Sequence, residues 1–299
     1  MMDTLRSTLT CPETQRLISR YTIPATTTIS ALAVLLYSRH CYLGWLALGE
    51  GGVSRTPLGW LFNVSAHLIA RRDHRAVPAP YEKKSLSSSD IKPAIELSTS
   101  DEEKYSYIAR EMTFFAKGGL PTRAGTRPDV PGTVIPQRQT TQRASQVTID
   151  KQNGFMRSLA LANPDLFRLS PSNLESPRFE ALWLAEPDDV PAEEKIKVKV
   201  DKTRVKWFSR LAPGEVSHVH GEGSIHLYLS LVDAAEVVRE GWGERHKLSG
   251  VRDLLPWNYV LIYAPREGDW EAWKNIVIAS VRVVTKCAGF EGEVVVPEE

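Results

Sequence analysis

The chain has 299 residues, 42% hydrophobic and 24% charged, which suffices for a substantial core and fits neither a disordered nor a fibrous protein. Its 37 basic and 36 acidic residues leave a net charge of +1, which excludes the broad positive field that non-specific nucleic-acid binding needs. Three cysteines, Cys11, Cys41 and Cys287, are too few and too far apart for a disulfide framework or a zinc module, and point to a reducing compartment.

In chain order, the uncharged stretch Tyr21–Ser38 comes first, flanked by Arg20 and Arg39. A spanning helix takes about 20 predominantly apolar residues, so this Thr-rich segment is marginal for a bilayer, and it lacks the early position of a cleaved signal peptide. Two placements are open: a helix buried in the fold, or a membrane-associated anchor holding the protein at the cytoplasmic side. Cys41–Leu48 and Leu58–Ile69 continue the apolar content around the break Gly49–Gly52, so residues 1–70 are expected to form a helical N-terminal segment. Asn63-Val64-Ser65 has the form of a glycosylation sequon. Residues 71–99 mix charge, prolines and the serine-rich run Ser85–Ser89, and read as a linker.

Residues 100–299 carry the expected main domain. Ser100 with Glu103 forms a capping box, and Tyr105, Ile108, Met112 and Phe115 follow at helical spacing before Gly118-Gly119. Pro121–Thr141 is broken by proline and glycine and cannot be one regular element, yet it carries Arg123, Arg127 and Arg138, with Arg143 just beyond. Such a segment is either a solvated loop or an arm whose planar guanidinium groups pair an anionic ligand or a buried carboxylate. A helix is predicted over about Asp150–Ala162, then strands at Arg178–Leu184, Ile196–Val200 and Arg204–Arg210, with an acidic turn at Glu186–Glu194. Further on come a helix starting at Asp233 with Glu236 and closing at Gly241, a strand at Asn258–Tyr263, and a last helix capped by Asp269. Trp270, Trp273, Ile276, Val277, Val281 and Val284 make one apolar stripe on that last helix. Strands and helices without regular βαβ alternation imply an α+β fold with a mainly antiparallel sheet and flanking helices.

The chemistry concentrates in Leu211–Gly250, which holds four of the seven histidines. At strand period Glu215–His220 puts His218 and His220 on one face, and Ser224–Leu229 does the same for Ser224, His226 and Tyr228. Gly221-Glu222-Gly223 is the hairpin turn between them. Three readings follow. The imidazoles of His218, His220 and His226 could ligate a divalent metal, with Glu215, Glu222, Glu244 or His246 completing the shell. They could be structural, held by hydrogen bonds along the sheet. Or one imidazole could serve as general base while its neighbours steady a developing anion.

Glu215-Val216-Ser217-His218-Val219-His220, Ile225-His226-Leu227, Gly241-Trp242-Gly243-Glu244-Arg245-His246 and Tyr263-Ala264-Pro265-Arg266, in that order, resemble the luciferase-domain family, whose named members are the fungal luciferases that use hydroxyhispidin. Gly125-Thr126-Arg127-Pro128 and Gln137-Arg138-Gln139 resemble it too. The resemblance implies an oxidoreductase of the oxygenase type, in which a phenolic or pyrone substrate is deprotonated, oxygenated and decarboxylated. It implies catalytic roles for His218, His220, His226, Glu215 and His246, and substrate contacts from Tyr228, Trp242, Arg127 and Arg138. It implies no cofactor beyond dioxygen, in keeping with the lack of a Gly-rich phosphate loop, while the histidines leave a divalent metal open. Light emission does not follow, since such domains occur where no light is made. The alternatives are a metal-dependent enzyme on the three-histidine site and a non-catalytic small-molecule-binding protein. In every case the expected partner is a small aromatic molecule, with no nucleic acid, and with membrane association through residues 21–38 as the further possibility.

Overall fold

The computed structural model describes residues 12–77, 112–185, 212–251 and 254–298. The chain divides into two compact units, Met1–Leu48 and Gly49–Glu299. In the first, helix α1 (Pro12–Ala47) runs through the whole uncharged stretch and beyond it. Pro24 lies inside this helix and brings no N–H to the ladder. The hydroxyls of Thr26 and Thr28 bond back to the carbonyls of Thr22 and Pro24 at 2.8 Å, so these threonines satisfy their own hydroxyls within the helix. Leu32, Leu35 and Leu36 of α1 are exposed, while Trp45 near its end is buried. Among the described residues no helix is long and apolar enough to cross a membrane, because threonines dilute the apolar half of this one.

The second unit begins with Gly49–Gly52 and α2 (Pro57–Ala66), whose N-cap Thr56 accepts from the Gly59 amide. Asn63 is buried, and its side-chain oxygen accepts from the amides of Val134 and Ile135 at 3.2 and 2.9 Å, so the sequon serves as a structural clamp. Helix α3 (Gln146–Ala162) starts four residues before its predicted position, because Ser145 supplies the N-cap. The strands are β1 (Phe167–Pro171), β2 (Glu180–Leu184), β3 (Glu215–Val219), β4 (Ile225–Tyr228), β5 (Gly243–Arg245) and β6 (Tyr259–Ile262). They form one sheet in the order β1-β2-β3-β4-β6-β5, antiparallel throughout. Helix α4 (Leu231–Arg239) lies between β4 and β5, and α5 (Trp270–Cys287) follows β6. The fold is α+β.

Three expectations are corrected or left aside. Helix α4 is capped by Ser230, whose hydroxyl accepts from the Asp233 amide, so Asp233 sits in the first turn instead of starting it. Asp269 does precede α5, but its carboxylate takes the Arg266 backbone and side-chain N–H groups and makes no cap bond. Met112–Phe115 are not helical, while the start of the helix expected from Ser100, the strands at Ile196–Val200 and Arg204–Arg210, and the acidic turn lie outside the described residues. The stripe Trp273, Ile276, Val277, Val281 and Val284 of α5 enters the same buried cluster as Ile225 and Leu227 of β4. Phe155 of α3 meets Trp270 and Trp273 edge-on, each ring centroid 6.0 Å away. With their apolar residues committed to this core, β3 and β4 are left to present histidines elsewhere.

Candidate functional site

Antiparallel pairing sets His218 opposite His226, Ser217 opposite Leu227 and Val219 opposite Ile225. The turn closes where the Gly223 amide bonds the His220 carbonyl at 2.9 Å. Gly223 has φ +92°, and a Cβ there would stand 2.4 Å from that of Ala144, so glycine is required twice over. This register draws His218, His220 and His226 together, with ring centroids 5.1, 5.5 and 4.6 Å apart, and none is more than 2% exposed.

The group they converge on is Glu175, which sequence reasoning missed. It lies in the turn between β1 and β2, and its Oε1 stands 3.5, 3.5 and 3.7 Å from His218 Nε2, His220 Nε2 and His226 Nδ1. One ligand atom from each of these four residues lies within 4.8 Å of every other, so together they could hold a metal ion. Arg138 grips the carboxylate from behind, at 3.1 Å to Oε1 and 2.7 Å to Oε2. The same guanidinium bonds the Glu50 carbonyl and comes within 3.5 Å of Glu222 Oε2. A Cβ at Gly51 would stand 2.2 Å from Glu175 Oε2, so any larger residue there would displace the carboxylate. No local pattern in Ser170–Ser176 marks this glutamate. Its position depends on a bond to a distant strand.

That bond is made by Glu215, fully buried at the start of β3. Its carboxylate accepts from Ser172 Oγ at 2.6 Å and from the Asn173 and Leu174 amides at 2.9 and 3.2 Å, which shapes the turn that carries Glu175. It also takes His218 Nδ1 at 2.7 Å. The other two imidazoles are held in the same way through their outward nitrogens. His220 Nδ1 bonds Ser224 Oγ at 2.8 Å, and that hydroxyl donates to Glu222 Oε1. His226 Nε2 bonds Gln137 Oε1 at 3.2 Å, and the Gln137 amide donates to Glu244 Oε1 at 3.0 Å and to the Arg245 carbonyl at 3.2 Å. Tyr263 and Arg75 both donate to Glu244 Oε2.

Burial opposes charge throughout the cluster. It lowers His226 to about 4 and, joined by Arg138, holds His220 well below the usual imidazole range. For His218 burial is outweighed by the carboxylates of Glu175 and Glu215, which raise it to about 9. For Glu175 burial is outweighed by Arg138, with help from His218 and His226, and the carboxyl lies well below its usual range.

Of the remaining expected residues, Arg138 and Glu215 lie at the cluster. His246 borders it, 5.4 Å from His226 between ring centroids, but its Nδ1 accepts from the Leu248 amide. Tyr228 is fully buried and lies one ring further out, tilted on Tyr259 at 4.9 Å. Tyr259, also missed, stacks directly on His226 at 5.0 Å. Arg127 and Trp242 go elsewhere: Arg127 donates to the Val238 carbonyl at the end of α4, and Trp242 Nε1 donates to the Pro121 carbonyl at 2.6 Å. Arg127 thus fastens the arm to α4, and Trp242 fastens it to the turn that follows α4.

Fold and site together define an α+β protein with a buried three-histidine, one-carboxylate cluster on an antiparallel sheet. Residues 213–280 match the family model described as Luciferase domain. The chain is 30% identical over 172 residues to a luciferase of Neonothopanus nambi, 28% over 177 residues to one of Armillaria ostoyae, and 30% over 178 residues to one of Armillaria mellea. Each match covers 56% of this chain, which spans 61% of the length of the relative. Residues 213–280 are thus similar to the luciferase domain, and the chain is similar over 56% of its length to the fungal luciferases. No solved structure matches it.

Proposed function

We propose that the protein is a luciferase-like oxygenase that takes a small phenolic or pyrone substrate of the hydroxyhispidin kind and releases carbon dioxide. The observation that carries this reading is the buried convergence of His218, His220 and His226 within the segment that matches the luciferase domain. Removal of a proton from an acidic hydroxyl gives an electron-rich anion, the only form that readily passes an electron to dioxygen. Addition of dioxygen then gives a peroxide, and its O–O bond breaks as carbon dioxide leaves, so no external reductant is consumed. The cluster suits the first step because it brings imidazole nitrogens and a carboxylate oxygen to one buried point. Arg138, whose guanidinium is taken up by Glu175, Glu222 and the Glu50 carbonyl, holds the carboxylate side of the cluster in place. Each imidazole of the cluster is at most 2% exposed, so substrate reaches them only through a local opening of the fold.

The test is incubation of purified protein with hydroxyhispidin in air, following oxygen uptake, carbon dioxide, product mass and photons. Oxygen uptake matched by a decarboxylated product is the expected result, with or without light. Failure of hydroxyhispidin and simpler hydroxy-pyrones both to bind and to turn over would remove the substrate assignment.

A further inference from the structure

Resting on the oxygenase reading, we propose that His218 Nε2, His220 Nε2, His226 Nδ1 and Glu175 Oε1 bind one divalent first-row transition metal. Glu215 Oε1 lies 2.7 Å from His218 Nδ1, so a neutral His218 ring keeps its proton on Nδ1 and turns the lone pair of Nε2 inward. Ser224 spends its own hydroxyl proton on Glu222, so it accepts from His220 Nδ1, and Nε2 of that ring is again a lone pair. Gln137 is oriented by the two acceptors on its amide nitrogen, so its oxygen takes the proton of His226 Nε2 and leaves Nδ1 bare. The inward nitrogens of all three rings are buried and have no hydrogen-bond partner among the described residues.

With all three rings neutral, as metal binding requires, three lone pairs and a carboxylate oxygen face one point. Three imidazoles cannot satisfy each other as acceptors, and the separations of 3.5, 3.5 and 3.7 Å to Glu175 Oε1 are long for hydrogen bonds. They do match a metal site: donors about 2.1 Å from a tetrahedral centre lie about 3.4 Å apart. The outward nitrogens carry the carboxylate, hydroxyl and amide partners that orient metal-binding histidines. Three imidazoles with one carboxylate suit zinc, iron, manganese or cobalt, whereas calcium and magnesium prefer oxygen donors throughout. Both glutamates proposed from sequence for the fourth ligand position near the hairpin, Glu215 and Glu222, instead hold the ligands from outside.

The experiment strips the full chain with chelator, confirms its fold by circular dichroism, and titrates cobalt(II), zinc(II) and anaerobic iron(II). The readouts are calorimetry and, for cobalt, the visible d–d spectrum. One equivalent per chain with a nitrogen-rich cobalt spectrum is expected. Glu175→Gln, close to isosteric, should weaken binding at least about 100-fold, and Ser224→Ala, which leaves every ligand in place, by about 10- to 100-fold. Absence of stoichiometric binding to folded wild-type protein, or equal affinity in a folded Glu175→Gln variant, would overturn the site. Full turnover of hydroxyhispidin by metal-free protein would also overturn it while leaving the oxygenase reading intact. Tight binding without turnover of any hydroxy-pyrone would support the metal site and defeat the oxygenase reading.

Discussion

Glu215 joins two parts of the molecule that are forty residues apart in sequence, and replacing it separates their contributions. The carboxylate is fully buried and accepts four hydrogen bonds, two from the buried groups Ser172 Oγ and His218 Nδ1 and two from the half-buried amides of Asn173 and Leu174. In Glu215→Ala the amides can find water, but the hydroxyl and the imidazole cannot, at about 1–3 kcal/mol for each buried group left unpaired. With the space left behind, the loss should total about 3–5 kcal/mol. Glu215→Gln acts differently. Its carbonyl keeps the two amides, while its NH2 faces His218 Nδ1, so the ring proton moves to Nε2 and the inward lone pair disappears. That variant should lose only about 1–2 kcal/mol yet bind cobalt(II) about 10- to 100-fold more weakly. Urea unfolding followed by tryptophan fluorescence, compared at constant m, measures the first quantity, and calorimetry the second. An alanine variant within 1 kcal/mol of wild type would show that the Glu175 turn does not depend on this carboxylate. A glutamine variant with wild-type metal affinity would refute the tautomer argument.

Two further outcomes are expected. Asp233 is pushed up to about 6 from its usual 3.8, chiefly by burial, while its carboxylate accepts from the Phe114 amide at 2.9 Å. An acid whose pKa is higher in the folded chain holds its proton more tightly there, so this contribution is complete below about pH 4 and lost as pH rises to about 6, by at most about 3 kcal/mol. Asp233→Asn keeps an oxygen for Phe114, and its stability relative to wild type should therefore rise across that window; a flat difference from pH 4 to 6 would contradict the assignment. Gly51→Ala would set a Cβ 2.2 Å from Glu175 Oε2 and 2.8 Å from the Arg138 guanidinium. The carboxylate must move, so cobalt affinity should drop together with about 1–3 kcal/mol of stability, and an unchanged cobalt spectrum would show that Gly51 does not set the Glu175 position.

What could be read from sequence was whatever depended on neighbours along the chain. Alternation at period 2 put His218 with His220 and His226 with Tyr228, and the glycines at 221 and 223 marked the turn, so the register His218 opposite His226 followed from local geometry. The α5 stripe followed from the helical period in the same way, and the order of motifs carried the resemblance to the luciferase domain. Capping was less determinate: Asp233 with Glu236 and Ser230 with Asp233 both have the form of a capping box, and β4 ends where only Ser230 can serve.

Other features were decided only when distant segments met. Sequence offered several acids as the histidines' partner, and the one that faces all three is Glu175, delivered by a turn that Glu215 shapes from another strand. Arg127 and Arg138 are alike in sequence, each in a proline-broken arm, yet one ties the arm to α4 and the other grips the cluster's carboxylate. Trp242, expected at the substrate, bonds Pro121 instead, while Tyr259, for which no role was expected, stacks on His226. The physical reason is common to all of these. Periodicity fixes the direction of a side chain relative to its own backbone, whereas which buried acceptor meets which donor depends on closing loops between remote segments and leaving no buried polar group unpaired.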